Sequence, residues 1–427
     1  MVRFQHSWHP GRLFAAVGLT LALWLLASVS PHTAYAGSCS WTGAVSSNWN
    51  TAGNWGPGCT GAGGIPGSAD TVDIPSGPPN DPSISSSITL QGLTVYGTLS
   101  LSANATLDTP LTNWGTVALG TRTLTFTGSS FANAGTVNGT GEFRTSGTVS
   151  MSTGAFNPPL RVLSGTTTAY GTFNGAVTVN SGATLEVQAG VNLYVYGDLT
   201  VNGTLSGGDS SSGLIFYGST LTNNGNTITV ANVYFRGSSA QSITGAGAWT
   251  GNGLFETQAD VTLANDIAMA FSSFHFNDYS STIFSFDNHL LTLTSPTMLT
   301  ITVQGTLNIG SQPFTISAPG GSSFTGSGVV NGTGELRTSG TVSLSSSALN
   351  PPLRVVGGTT TAYGTLNGAV TVNSGAALEV QAGVNLYVYG DLTVNGTLSG
   401  GNGSSGLIFY GSTLTNNGNT ITVANVY

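Results

Sequence analysis

The chain has 427 residues, of which 62 are glycine and only 6% are charged, and its eight basic residues are all arginine. Two of these arginines lie in the first 36 residues, so residues 37–427 carry a formal net charge of 6 − 16 = −10. This acidic balance, without a basic stripe in any segment, excludes nucleic-acid binding and attraction to an anionic membrane.

Residues 1–36 have the pattern of a signal peptide. Arg3 and Arg12 precede the apolar stretch 13–29, and Ala34-Tyr-Ala36 supplies the small residues of a cleavage site before Gly37. An uncleaved membrane anchor is the alternative, because the apolar stretch is long enough to cross a bilayer. We expect cleavage and a secreted or cell-surface protein, which is not membrane-spanning because no later stretch holds 18 apolar residues.

Residues 37–84 are predicted to form a small N-terminal cap module. It contains both cysteines of the chain, Cys39 and Cys59, and an exported protein favours a disulfide between them. The resulting loop encloses Trp41, Trp49 and Trp55, which we expect to seal the open end of a stacked core.

The polar residues of the same module have two interpretations. Asn48, Asn50, Asn54, Asp70 and Asp73 offer oxygen ligands that suit calcium, so a calcium ion is a possible cofactor. Such residues more often cap turns, and we favour that interpretation.

From residue 85 onwards the hydrophobic period is two. Short segments such as Thr184-Leu-Glu-Val187 and Asp198-Leu-Thr-Val201 are bounded by Gly, Asn or Ser, which is typical of strands with tight corners. Asn and Gly tolerate the left-handed conformation that corners such as Asn180-Ser-Gly182 need. Strands this short are stable only when stacked, so the pattern predicts an all-β, right-handed parallel β-helix. A string of β-sandwich modules is the alternative.

A long repeat organises this region. Residues 128–234 recur as residues 321–427 at a constant offset of 193, and 92 of the 107 aligned positions are identical. We place β-solenoid repeat unit 1 at residues 85–276 and unit 2 at residues 277–427. Because Tyr234 is followed by further sequence and its copy Tyr427 is not, we expect unit 2 to be truncated and the chain to be a fragment.

Three segments carry a resemblance to bacterial secreted and surface β-solenoid repeat proteins of the adhesin-like and autotransporter-passenger-like kind. They are the stretch from Trp41 to Ile74, the Asn-x-Gly-Thr-Val rhythm of residues 131–146, and Ser239–Gly245 together with Val261–Asp266. The resemblance implies a β-helix that serves adhesion, and it transfers no catalytic residue.

A candidate ligand surface lies in the strand Val191-Asn-Leu-Tyr-Val-Tyr196. If Leu193 and Val195 face the core, Tyr194 and Tyr196 face outwards, as do their copies Tyr387 and Tyr389. Outward tyrosines can stack against sugar rings, and duplication would make the surface bivalent. The alternative is a structural role, either an aromatic ladder that stacks on adjacent rungs or packing under a loop, and we favour this structural role.

Two charged pairs recur with the repeat. Glu142 and Arg144 are two residues apart, hence on one face of a strand, and they recur as Glu335 and Arg337. We expect surface ion pairs, although an acid beside an arginine also suits lyase chemistry. The arginines that follow Pro-Pro-Leu, Arg161 and Arg354, are predicted to mark loops.

The densest group of chemically active residues occupies 256–289. It holds Glu256, Asp260, Asp266, Asp278 and Asp287, and both histidines of the region after residue 36, His275 and His289. If Asp278, Asp287, His275 and His289 converged on adjacent rungs, they would suit glycoside hydrolysis or a calcium site.

The sequence therefore predicts a secreted or cell-surface structural or adhesive β-solenoid without catalytic activity. Extracellular polysaccharide, or the surface of a host or neighbouring cell, is the expected partner. Two alternatives remain open: a carbohydrate-active β-helix enzyme, either polysaccharide lyase or hydrolase, and a multivalent glycan-binding module.

Overall fold

The computed structural model describes residues 37–225, 227–277, 281–418 and 420–427, so the predicted signal peptide lies outside the described residues. The described chain contains one 3-10 helix, Ala52–Asn54, and otherwise consists of strands and turns. The first group of strands is β1 Ser38–Ser40, β2 Thr71–Ile74, β3 Ser83–Ile84, β4 Ile88–Thr89, β5 Gly92–Val95, β6 Thr98–Leu101, β7 Ala105–Asp108, β8 Leu111–Asn113, β9 Thr116–Gly120, β10 Leu124–Phe126, β11 Ser130–Gly139, β12 Phe143–Phe156 and β13 Leu160–Phe173.

The second group runs to residue 325. It comprises β14 Val177–Val179, β15 Ala183–Val187, β16 Asn192–Val195, β17 Leu199–Val201, β18 Thr204–Gly207, β19 Gly213–Phe216, β20 Thr220–Asn223, β21 Ile228–Thr229, β22 Asn232–Phe235, β23 Gln241–Thr244, β24 Trp249–Thr250, β25 Leu254–Thr257, β26 Val261–Leu263, β27 Ile267–Ala270, β28 Ser273–Phe276, β29 Ile283–Ser285, β30 Leu291–Thr294, β31 Leu299–Val303, β32 Thr306–Asn308, β33 Phe314–Ile316 and β34 Ser322–Thr325.

The third group completes the chain. It comprises β35 Val329–Asn331, β36 Leu336–Leu349, β37 Leu353–Leu366, β38 Val370–Val372, β39 Ala376–Val380, β40 Asn385–Val388, β41 Leu392–Val394, β42 Thr397–Gly400, β43 Gly406–Phe409, β44 Leu414–Asn416, β45 Ile421–Thr422 and β46 Asn425–Val426.

The strands stack into a parallel β-helix. Over most of the described chain each strand pairs in parallel with the strand three places further on, so three strands make one turn. About 18 such turns form the solenoid. This confirms the predicted parallel β-helix, and the parallel ladders exclude antiparallel sandwich modules. The right-handed sense of the winding stays a prediction.

The interior follows directly from the period of two. In β15, Ala183, Leu185 and Val187 are buried while Thr184 and Glu186 are partly exposed, and most other strands alternate in the same way. Each inward side chain stacks on the inward side chain of the next turn, so the core is continuous along the axis. Burial of these aliphatic and aromatic columns is the main stabilising contribution.

Stacked glycines allow the turns to approach closely at one corner. A Cβ on Gly115 would lie 2.0 Å from the carbonyl oxygen of Gly97, and a Cβ on Gly135 would lie 2.1 Å from that of Gly115. At the predicted corner Asn180-Ser-Gly182 the glycine takes the left-handed conformation, with φ +77° at Gly182. At another corner the φ of Gly139 is +134°, and the side chain of the preceding Asn138 accepts a hydrogen bond of 2.5 Å from Asn157 on the next turn.

The copies of the repeat do not lie above one another. We call the three columns of stacked strands the faces of the solenoid. The face that contains β14 can be followed from strand to paired strand, and nine successive pairings lead from β14 to the C-terminal part of β37. The strands between them on this face are β17, β20, β23, β26, β29, β32, β35 and β36. The next strand on that face is β40, whereas β38 is the copy of β14. Each copied residue therefore lies nine turns further along the solenoid axis than its original, and on the next face around the axis.

The N-terminal module is joined to the first turns. Cys39 and Cys59 form the predicted disulfide, with their Cα atoms 5.0 Å apart. Trp41, Trp49 and Trp55 are buried against one another, and their ring centroids are 4.7–6.4 Å apart. They belong to the same core cluster as the aliphatic columns, so the module and the solenoid share one interior.

No helix within the described residues has the length and apolar character needed to cross a membrane.

Candidate functional site

The predicted tyrosine surface is present, but its rings stack on one another. Leu193 and Val195 are buried, Tyr194 is half-buried and Tyr196 is exposed, as the alternation predicted. The ring of Tyr196 stacks on Tyr217 of the next turn, with centroids 4.4 Å apart and planes inclined by 4°. Ladder stacking therefore covers one face of the Tyr196 ring, and Tyr196 still has 48% of its surface exposed.

The second copy repeats this arrangement. Tyr387 is half-buried and Tyr389 is exposed, and Tyr389 stacks on Tyr410 with centroids 4.8 Å apart. The tyrosines of the following turn, Tyr217 and Tyr410, were missed from sequence. Their signal is the dipeptide Tyr-Gly, which directly follows β16 as Tyr196-Gly197 and follows β19, one turn later, as Tyr217-Gly218.

The two tyrosine stacks lie on different faces. β16 pairs with the C-terminal part of β13, and β40 pairs with the C-terminal part of β37. Because one repeat advances nine turns and one face, the Tyr389 stack is rotated by a third of a turn from the Tyr196 stack. A flat ligand surface can therefore contact only one of the two stacks. The predicted bivalent binding does not apply to such a surface.

A charged cluster joins two adjacent turns in each copy. Glu142 forms the predicted ion pair with Arg144, and its other oxygen accepts a hydrogen bond of 2.6 Å from Nε of Arg161. The prediction that Arg161 marks a loop was wrong. Arg161 lies within β13, where its Cα faces that of Arg144 in the parallel register. One carboxylate thus bridges two arginines that would otherwise repel each other across the ladder.

The same cluster recurs in unit 2. Glu335 accepts hydrogen bonds from Nε of Arg337 at 2.7 Å and from Nε of Arg354 at 2.6 Å. Arg354 lies in β37 and not in a loop, so that prediction was wrong as well. Burial raises the pKa of the Glu335 carboxyl, but the two arginines outweigh burial and hold it below its usual value. The carboxylate is therefore charged over the whole neutral range.

The predicted acidic cluster of residues 256–289 is spread over the solenoid. His275 lies in β28, whereas Asp287 and His289 lie in the turn between β29 and β30, which belong to the other two faces. Nδ1 of His289 is 3.5 Å from a carboxylate oxygen of Asp266. Asp278 lies outside the described residues. The structure thus brings His289 and Asp266 together and separates both from His275.

A different group of side chains meets on one face. Tyr234, Glu256 and His275 occupy facing positions on three consecutive turns. Arg236 reaches Glu256 with an N–O distance of 3.2 Å and lies 4.8 Å from the centroid of the Tyr234 ring. Burial, followed by the charge of Glu256, raises the pKa of the Tyr234 hydroxyl. Sequence spacing did not reveal this group because its members belong to separate turns, whose lengths differ.

Two of the five polar residues of the N-terminal module, Asn54 and Asp70, are buried and engaged within the protein. Asn54 is buried, and its side-chain oxygen accepts hydrogen bonds from the backbone of Val45 and Ser46. Asp70 is buried too and accepts hydrogen bonds from the backbone of Gly37, Thr60 and Gly67 and from the Thr60 hydroxyl. These bonds fit the turn-capping interpretation.

No group of three or more His, Cys, Asp or Glu side chains that could hold a metal occurs among the described residues. Comparison of the chain with protein-family models, curated proteins and solved structures finds no match.

Proposed function

We propose that the chain is an exported, non-catalytic β-solenoid that serves as a structural and adhesive element outside the cell or at its surface. The observation that supports this proposal is the copying of a surface. Each unit carries a tyrosine stack and an arginine–glutamate–arginine cluster of nearly the same geometry. Catalysis gains no new chemistry from a second copy of its site, whereas an adhesive surface gains avidity from every copy that one partner, such as a flexible polymer, can reach.

The stacked tyrosines support contact with sugars. Tyr196 and Tyr389 stay about half exposed within their stacks, at 48% and 49%. Aromatic rings pack against the apolar faces of sugar rings and keep their hydroxyls near water. The partner we propose is therefore an extracellular polysaccharide, either free or on a host or neighbouring cell.

The test is retention on insoluble polysaccharides. Residues 37–427 are incubated with a panel of these polymers, with and without calcium, and the supernatant is assayed for released sugars. We expect retention without release. Release of sugars would contradict the non-catalytic part of the proposal, and absence of retention would contradict the adhesive part.

Paired variants locate the contact. Replacing both Tyr196 and Tyr389 by alanine should reduce retention, because the accessible ring of each stack is lost. Tyr96→Ala is the matched control, since Tyr96 is similarly exposed at 53% but belongs to neither stack. Equal loss in the control would point to general exposure of tyrosine and not to the stacks.

A carbohydrate-active enzyme is the second candidate, and one observation favours it. Glu256, Arg236 and His275 lie together on one face, which places an acid, a cation and an imidazole within adjacent turns. A lyase or a hydrolase needs groups of this kind. If sugars are released, Glu256→Gln should abolish the release while Asp287→Asn leaves it unchanged.

A further inference from the structure

A groove in unit 2 opens beside the arginine–glutamate–arginine cluster. It is an open depression that extends over four consecutive turns, from β33 to the turn after β38, with a volume of about 530 Å³. Its polar lining consists of two arginines, three hydroxyl side chains and one amide: Arg337, Arg354, Thr315, Ser317, Ser339 and Asn373. All of these are hydrogen-bond donors, and none is an acid.

The groove carries a net positive charge within an acidic protein. Two guanidinium groups line it, and the single carboxylate of Glu335 bonds to their Nε atoms without itself lining the groove. Of the remaining donors, Nη1 of Arg354 is 3.4 Å from the Asn373 side-chain oxygen. The side chains of Arg337 and Arg354 are 43% and 39% exposed, so their terminal nitrogens are accessible to a ligand.

Substitutions between the copies favour the groove in unit 2. Val356 and Gly357 stand where unit 1 has the larger Leu163 and Ser164. In unit 1 the Ser164 hydroxyl forms a hydrogen bond of 2.9 Å with Ser146 across the ladder, and Gly357 removes the equivalent contact. The same charged cluster therefore has less side-chain volume beside it in unit 2.

We propose that this groove binds the anionic groups, carboxylate or sulfate, of an acidic polysaccharide. Guanidinium groups bind both kinds of anion through paired hydrogen bonds. The hydroxyl and amide side chains on the neighbouring turns suit the sugar hydroxyls on either side of the anion. The inference rests on the proposed adhesive function and names the class of ligand for it.

The experiment measures binding of residues 37–427 to soluble polymers at several salt concentrations. Polygalacturonate supplies carboxylates, dextran sulfate supplies sulfate esters, and dextran is the neutral control. We expect binding to at least one anionic polymer and none to dextran, with affinity falling as salt rises. The polymer that binds tells whether a carboxylate or a sulfate is preferred.

Three variants test the site, each checked for folding by circular dichroism. Arg337→Gln combined with Arg354→Gln should weaken binding about tenfold or more, because the charged hydrogen bonds are lost. Arg122→Gln removes one exposed arginine outside the groove and should leave the affinity unchanged. Val356→Leu with Gly357→Ser installs the unit 1 residues, keeps every charge, and should weaken binding by narrowing the groove.

The outcomes separate this inference from the proposed function. Loss of anionic binding in the arginine variant, with retention on insoluble neutral polymers unchanged, supports both. Anionic binding that is absent, insensitive to the arginine substitutions or equally lost in Arg122→Gln overturns the groove as a site, whatever the retention result. Retention that fails while anionic binding persists overturns only the tyrosine contact.

Discussion

Asp70 connects three parts of the N-terminal module through one buried carboxylate. It accepts hydrogen bonds from Gly37 beside β1, from Thr60 next to Cys59 of the disulfide, and from Gly67 at a turn. Burial alone would raise the pKa of this carboxyl, but the hydrogen bonds from Gly67, Thr60 and Gly37 lower it below its usual value. The charged form is therefore the one that stabilises the module.

We expect Asp70→Asn to destabilise the module by about 1–3 kcal/mol, because an amide nitrogen leaves buried donors without an acceptor. The pH dependence has a defined sign. A carboxyl whose folded pKa is lowered contributes stability above its unfolded pKa, and loses it as pH falls through the folded pKa. Thermal melting between pH 7 and pH 2 should therefore show an acid-induced loss in the native chain that is smaller in the variant.

Asp73→Asn is the control for this prediction, since Asp73 lies three residues after Asp70, within β2, and is exposed. A control that melts as early as Asp70→Asn would show that charge, and not the buried hydrogen bonds, determines stability here.

The copies provide a natural substitution at a second aspartate. The side-chain oxygen of Asp209 accepts hydrogen bonds from the backbone and hydroxyl of Ser211, and Asn402 does the same with Ser404. Hydrogen bonds from the backbone of Gly190 and from Ser211 lower the pKa of Asp209 to about 2. Each turn needs a side-chain oxygen as hydrogen-bond acceptor, and the Asp209 carboxylate and the Asn402 amide both provide one.

Asp209→Asn should therefore lower the melting temperature at pH 7 less than Asp209→Ala, because Asn keeps the acceptor and Ala removes it. Differential scanning calorimetry of the two variants is the measurement. A drop of similar size in both would mean that the charge of Asp209 matters more than the acceptor that it shares with Asn402.

Corners of the solenoid depend on glycine where backbone meets backbone. Gly115 lies directly against the carbonyl of Gly97, and the contact repeats one turn later at Gly135. A side chain at this position cannot move aside because the neighbouring atoms are backbone. The corner must therefore open, and the hydrogen bonds on both sides of it lengthen.

Gly115→Ala should destabilise the solenoid by about 1–3 kcal/mol. Gly403→Ala is the matched control, because a Cβ there meets no atom within 4 Å and its backbone is not left-handed. Denaturant unfolding measures both. Equal stabilities would show that the turns separate at this corner at little cost.

Only part of each charged cluster could be predicted from the alternating pattern of a strand. The spacing of Glu142 and Arg144 predicted their ion pair, because residues two apart in a strand share a side. The partnership with Arg161 depends on the register between turns, and no local pattern encodes that register. For the same reason, neither the stacking of Tyr196 on Tyr217 nor the separation of His275 from His289 could be predicted from the sequence.

The parallel β-helix itself could be predicted because its cause is local. Alternating apolar residues, short strands and glycine corners recur in almost every turn, so errors in one segment do not change the conclusion. The length of a turn is not local. Leu160 faces Val177 and Val177 faces Leu199, so the second of these two consecutive turns is longer than the first. The sequence offset of 193 residues between the copies could therefore not be converted into a number of turns, and the shift by nine turns and one face could not be predicted.

Removing one full repeat period of 193 residues should shorten the rod and preserve the fold. Deletion of residues 128–320 joins Thr127 to Gly321-Ser-Ser-Phe324, which restores the sequence Gly128-Ser-Ser-Phe131. Nine turns and a third, at about 4.8 Å per turn, correspond to a loss of roughly 45 Å in length. Small-angle scattering should show this shortening with an unchanged cross-section. Deletion of residues 128–310 is the control, because it leaves an incomplete turn and should impair folding.

The advance of nine turns and one face makes the repeat a screw operation. Each added unit would carry its surface about 45 Å along the axis and turn it by a third of a revolution. Successive units would then present the tyrosine stack and the arginine cluster in three directions, and only every third unit would return to the first. A rod built by such copying does not lie flat on one surface with all its sites engaged. Under the proposed adhesive function, such a rod would link partners on different sides and hold a matrix of polymers or cells together around itself.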